Sequence, residues 1–249
     1  MDDTHTFDRV KSDSDYSTPD PAELTPEQQA ELDRASATVA FMLQRQFDLS
    51  APAPVLDPVI SLNGTIVATP GNVVCISGVA GSAKTRCGIG GILSASLTGD
   101  AIGWTVTNPK NGAILHIDAE QSAYHWHMRN ADIATRSGIQ DTLPRGFHSF
   151  PCVGESPEQL CLELEHSMTW ANFTYGGVRI VVLDGFSDLI HNTNDPDESA
   201  ICVRWLHDLA QRFQCVIVGV IHSNEGSENV RSRGHLGAQL TRKSESVLN

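Results

Sequence analysis

The chain has 249 residues, with 30 Asp and Glu against 17 Lys and Arg, a formal net charge of -13, and 40% hydrophobic and 19% charged residues. That size and apolar content suit one globular domain with some excess, and the acidity excludes a bulk basic surface of the kind that coats duplex DNA, though not a locally basic loop or a ring channel. No apolar run approaches the roughly 20 residues that span a bilayer, and the N-terminus MDDTHTFDRV lacks the basic and apolar regions of a signal peptide, so the expected location is cytoplasmic.

Residues 1–50 hold eleven acids and four bases. Residues 1–24 are acidic, rich in Ser, Asp, Thr and Pro, and carry almost no apolar periodicity, which reads as a disordered tail. Thr25-Pro26-Glu27-Gln28 then combines a capping threonine, a first-turn proline and a glutamine three residues on, the start of a helix predicted to reach about Phe47. Its Ala37, Ala40, Phe41 and Leu43 suit either a docking or oligomerisation helix or one packed on the core. Ser50-Ala51-Pro52-Ala53-Pro54 closes this 25–54 segment as an extended, proline-rich linker.

From Val55 onward short apolar runs alternate with amphipathic segments. Strands are predicted at Val73–Ser77, Ala113–Asp118, Gly146–Phe150, Val178–Asp184, Cys215–His222 and from Ser246, with helices at about 84–97, 122–136, 156–172 and 198–213. Near-continuous Val, Ile and Leu strands separated by helices mean an α/β domain: a mostly parallel sheet covered by helices on both faces, with its chemistry at the carboxyl ends of the strands. The six cysteines are scattered, never in C-x-x-C spacing, so neither a disulfide framework nor a zinc site is expected. His125 and His127, two apart on a helix, diverge and do not make a metal site.

The first long strand ends in Gly78-Val79-Ala80-Gly81-Ser82-Ala83-Lys84-Thr85, which fits the phosphate-binding loop G-x-x-x-x-G-K-[ST] except that Ala83 stands where glycine is usual. The chemistry needs inward-facing backbone N–H groups, a lysine for the outer phosphates and a hydroxyl for Mg²⁺; Lys84 and Thr85 supply the last two. Ala83 adds a methyl where the backbone is tight, at some expected loss of affinity. Asp184, after the four apolar residues Ile180–Leu183, takes the Walker B role, holding Mg²⁺ through water. Glu120, just past the end of Ile114–Asp118, is placed to orient or deprotonate an attacking water, with Asp118 orienting its loop. His222 ends an apolar strand and is placed to sense the γ-phosphate. The loop 223–233 that follows carries Arg231 and Arg233, candidates for nucleic acid or a neighbouring subunit's nucleotide, although Arg231 reads more simply as a solvated loop charge.

This order of motifs resembles the RecA-like P-loop ATPases, and within them the hexameric replicative helicases of DnaB and plasmid RepA type. More narrowly, Asp118-Ala119-Glu120-Gln121-Ser122 with Tyr124-His125, the run Leu183–Ile190, Asn194-Asp195, Arg233-Gly234-His235-Leu236-Gly237 and Lys243–Leu248 look like a group of AAA-labelled ATPases from bacterial mobile elements. The resemblance covers about residues 55–249. It implies a RecA-like core, ATP with Mg²⁺, a homo-oligomeric ring (a hexamer), single-stranded DNA and replication proteins as partners, and Arg233 as a cation reaching the adjacent subunit's γ-phosphate. Ala83 departs from the usual loop, and Glu225 stands at a loop place often basic in the mobile-element group. The chain stops at Asn249 inside what should be a core strand, so the domain is expected to be truncated. The competing reading is a regulatory ATPase of KaiC or RadA type that does not unwind DNA.

Overall fold

The computed structural model describes residues 24–53, 55, 57–78, 84–222 and 234–248. The chain forms two compact units, residues 1–54 and 55–249, and the predicted tail lies, but for Leu24, outside the described residues.

In the first unit a helix, α1, runs Pro26–Leu43. Its capping box closes both ways: the Gln28 N–H donates to Thr25 Oγ1 at 3.3 Å and the Thr25 N–H to Gln28 Oε1 at 2.9 Å. The helix ends four residues short of Phe47. Its last carbonyls bond the N–H groups three residues on, Arg45 to Met42 at 3.0 Å and Gln46 to Leu43 at 3.2 Å, which tightens and ends the winding.

The second unit is built on six parallel strands: β3 (Asn72–Gly78), β6 (Ala113–Asp118), β7 (Phe147–Pro151), β8 (Val178–Asp184), β9 (Val216–His222) and β10 (Ser246–Leu248), in the order β10-β3-β9-β8-β6-β7. Alternation along each strand sends side chains to two cores. On one side Val181 and Leu183 pack with α4 (Pro157–Tyr175), α5 (Pro196–Phe213) and α6 (Gly234–Lys243) through Leu164, Leu206 and Leu240. On the other side Ile180 and Val182 pack with α2 (Gly90–Thr98) and α3 (Ala123–Arg136) through Ile92, Leu93 and Ile133. Each fully buried Val, Ile or Leu stabilises the fold by about 1.5–3 kcal/mol, so a sheet buried on both faces needs continuous apolar runs. The α/β architecture expected from the sequence is the one found.

Three features differ from expectation. A small antiparallel sheet, β2 (Thr65–Ala68), β1 (Ile60–Leu62), β5 (Trp104–Val106) and β4 (Asp100–Ala101), covers the α2 side and was not foreseen. The helix predicted at about 84–97 is not α-helical at its start: residues Lys84–Ile89 form a π-helix that leads into α2. Finally, α6 precedes β10 over residues to which no element had been assigned. Among the described residues no helix is long and apolar enough to cross a membrane.

Candidate functional site

Strands β3, β9, β8 and β6 are neighbours, so their carboxyl ends form one row: Gly78 pairs in register with His222, and Asp118 with Asp184. Every sequence-predicted site residue that is described lies along this row. Val79, Ala80, Gly81, Ser82 and Ala83 lie outside the described residues, as do Arg231, Arg233 and Glu225.

At the β3 end, the Lys84 ammonium donates a hydrogen bond to the Gly78 carbonyl, six residues back in sequence. Burial lowers its pKa, and the negative charges of Glu120 and Asp184 oppose that shift. Lysine is therefore held among the acids of the site. Thr85, the next residue, places Oγ1 3.5 Å from Asp184 Oδ1. A hydroxyl and a carboxylate side by side are hard oxygen donors, the set Mg²⁺ takes when most of its shell is water or phosphate. Among the described residues no group of three or more His, Cys, Asp or Glu could hold a metal ion. His125 and His127 stand exposed on α3, and all six cysteines are free thiols.

Asp184 is buried, and its carboxyl is pushed up to about 7, first by burial and then by the charge of Glu120, against the pull of Arg129. Arg129 on α3 was not singled out from the sequence. One guanidinium nitrogen lies 2.5 Å from Asp184 Oδ2 and 3.3 Å from Asp118 Oδ2, and both carboxylates are fully buried. A buried ion pair of this kind costs desolvation on both sides, so its value lies in geometry more than in stability. Asp118 has its other oxygen on the turn that follows it, accepting the N–H groups of Glu120 at 3.2 Å and Gln121 at 2.9 Å. Arg129 thus ties the Glu120 turn to Asp184. The available signal was an arginine between Trp126 and Ile133, on the inward face of α3.

Glu120 Oε1 lies 3.3 Å from His222 Nε2. Close by is Asp188, in the 3₁₀ turn Phe186–Leu189 after β8, whose carboxyl is raised by burial and by the charge of Glu120. Gly185 permits that approach with φ 117°, and a Cβ there would lie 2.3 Å from Asp188 Oδ2. One row of strand ends therefore holds a lysine, a hydroxyl, a buried carboxylate, a second carboxylate and a histidine. Together they can bind phosphate, a divalent cation and the proton of an attacking water.

A family model described as an AAA domain matches residues 41–228, about three quarters of the chain. No curated protein matches the chain. The matched span takes in the phosphate-loop motif, Glu120, Asp184 and His222 on a parallel sheet flanked by helices, and by that match the chain belongs to the AAA-domain family of P-loop ATPases.

Proposed function

We propose that the protein binds and hydrolyses ATP with Mg²⁺ to drive a DNA-directed motor, as a helicase or helicase-like replication protein of a mobile element, working as a homo-oligomeric ring of six. The observation that carries the ATPase part is the convergence of Lys84, Thr85, Asp184, Glu120 and His222 on adjoining strand ends. In this reading the loop Gly78–Thr85 wraps the phosphates and Lys84 exchanges the Gly78 carbonyl for the outer phosphate oxygens. Thr85 and Asp184 hold Mg²⁺, Asp184 through water. When bound, the ion neutralises phosphate charge. Glu120 orients the attacking water and accepts its proton. His222, on Glu120 in this structure, answers to the γ-phosphate, and Arg233 serves the adjacent subunit's nucleotide.

The DNA and ring assignments are supported by the order of motifs through the Arg233–Gly237 stretch. Glu225 and the net charge of -13 favour the second reading, a KaiC- or RadA-type regulatory ATPase that does not unwind DNA. Lys84→Ala tests the nucleotide site directly. Calorimetric titration should show ATP affinity lost in the folded variant, because the side-chain cation of the loop is gone; unchanged affinity would defeat the assignment.

A further inference from the structure

The last two residues of the phosphate-loop motif open a π-helix, Lys84–Ile89, in which hydrogen bonds skip one residue further than in an α-helix. Its wide turn has a local cause in sequence. Glycines stand at 88, 90 and 91, and the Gly90 Cα lies so close to the Thr85 carbonyl, five residues back, that a Cβ would sit 3.3 Å from that oxygen. The turn also has an outside support. Trp104, on β5 of the small sheet and only 6% exposed, donates its indole N–H to the Cys87 carbonyl at 2.9 Å. Its ring presses on α2 where Gly91 leaves room, since a Cβ at Gly91 would lie 2.4 Å from Trp104 Cδ1.

A widened turn changes phase. Each residue of an α-helix advances the side chains by about 100°, so taking up or releasing one residue in the turn rotates everything before it by that angle relative to everything after it. After the turn, α2 buries Ile92, Leu93 and Ala95 in the core. At its start, Thr85 directs its hydroxyl to Asp184 at 3.5 Å. With α2 anchored by its core residues, winding the turn as α would turn Thr85 away from that partner; the neighbouring Lys84 reaches through a flexible four-carbon stem that can follow the rotation, whereas the short Thr85 hydroxyl cannot.

We propose that Trp104 is a positioning residue for the nucleotide site: its indole clamps the wide turn through Cys87 and Gly91, and so keeps the Thr85 hydroxyl aimed at Asp184. The inference rests on the reading of Thr85 and Asp184 as the Mg²⁺ pair. In this proposal Trp104 acts through Thr85, not on the nucleotide or the metal itself.

The test is a double-mutant cycle on the full chain, with ATP affinity measured in Mg²⁺ and in EDTA for wild type, Trp104→Phe, Thr85→Ala and the double variant. Trp104→Phe keeps an aromatic ring and loses the N–H. It should weaken binding about five- to tenfold in Mg²⁺, change little in EDTA, and add nothing once Thr85 is alanine. Equal weakening in both media, or additivity with Thr85→Ala, overturns the inference. If Trp104→Phe does not fold, the indole N–H resonance of Trp104 in wild-type protein carries the test: it should shift when Mg²⁺ is added to protein saturated with a non-hydrolysable ATP analogue, and an unmoved signal overturns the inference. Wild-type protein whose ATP affinity ignores Mg²⁺ overturns the ATPase reading and this inference together. Mg²⁺-dependent affinity in wild type with the same dependence in Trp104→Phe overturns this inference alone.

Discussion

At the scale of single residues, Glu120 and Asp184 make opposite demands on the protein. Glu120→Gln keeps the side-chain shape and removes the carboxylate that, in the proposed mechanism, takes the water's proton. ATP binding should persist while the steady-state hydrolysis rate falls by roughly 10²-fold or more; a full rate would place the base elsewhere. Asp184 is a strain on the metal-free fold. Its carboxyl titrates near 7 in the folded chain against 3.8 for the unperturbed group, so between about pH 4 and 7 the folded state holds a proton that the unfolded state has released. Its contribution to stability therefore falls as pH rises through that window. Buried His116 works the other way. Burial and the nearby Arg129 push it down to about 3, so its contribution is lost as pH falls below the usual histidine range. Asp184→Asn should stabilise the Mg²⁺-free protein by roughly 2 kcal/mol at pH 8 and expose the His116 trend as a stability that rises from pH 4 to 6.5. Urea unfolding across pH reads both, and an unchanged pH profile would contradict the assigned burial effect.

At the scale of elements, β9 and the turn after β8 are in close contact beside the site. The ring of Phe186 lies against Gly219, where an added Cβ would come within 2.3 Å of Cζ. Gly219→Ala should cost about 1–3 kcal/mol in thermal or urea unfolding by overpacking, and a variant as stable as wild type would show that the turn yields freely. What the sequence revealed at this scale follows its length of pattern. Ala113–Asp118 and Val178–Asp184 match at both ends because buried parallel strands must be apolar throughout. The small sheet escaped because strands of two to four residues have no measurable period. Its signal was Asn63-Gly64, both at positive φ (48° and 80°), a strong hairpin turn that was passed over. In α6 only Leu236, Gly237 and Leu240 are buried, too little apolar pattern to separate a ten-residue helix from the loop before it. Arg129 was hidden for a different reason. Its role depends on α3 crossing the ends of β6 and β8, a contact between elements that no local pattern encodes. The π-helix at Lys84–Ile89 likewise meets a partner distant in sequence, Trp104, whose indole bonds the carbonyl of Cys87, 17 residues before it.

At the scale of the whole molecule, a six-stranded parallel sheet brings motifs from positions 78 to 222 into one row, and that convergence is what makes the ATPase reading more than a motif match. The sheet does not by itself say what the hydrolysis drives. A motor must couple its ATP site to a strand of nucleic acid, whereas a regulatory switch must not depend on one, and residues 223–233, which carry Glu225, Arg231 and Arg233, are where the two readings divide. The deciding measurement is the steady-state rate of Mg²⁺-dependent ATP hydrolysis by the full chain, with Glu120→Gln as the inactive control, before and after addition of single-stranded DNA at a stated salt concentration. The account predicts hydrolysis that requires Glu120 and rises several-fold with DNA, the stimulation fading as salt increases. Hydrolysis that ignores DNA at every salt concentration would contradict the motor and favour the switch, and no Glu120-dependent hydrolysis under any condition would contradict the ATPase itself.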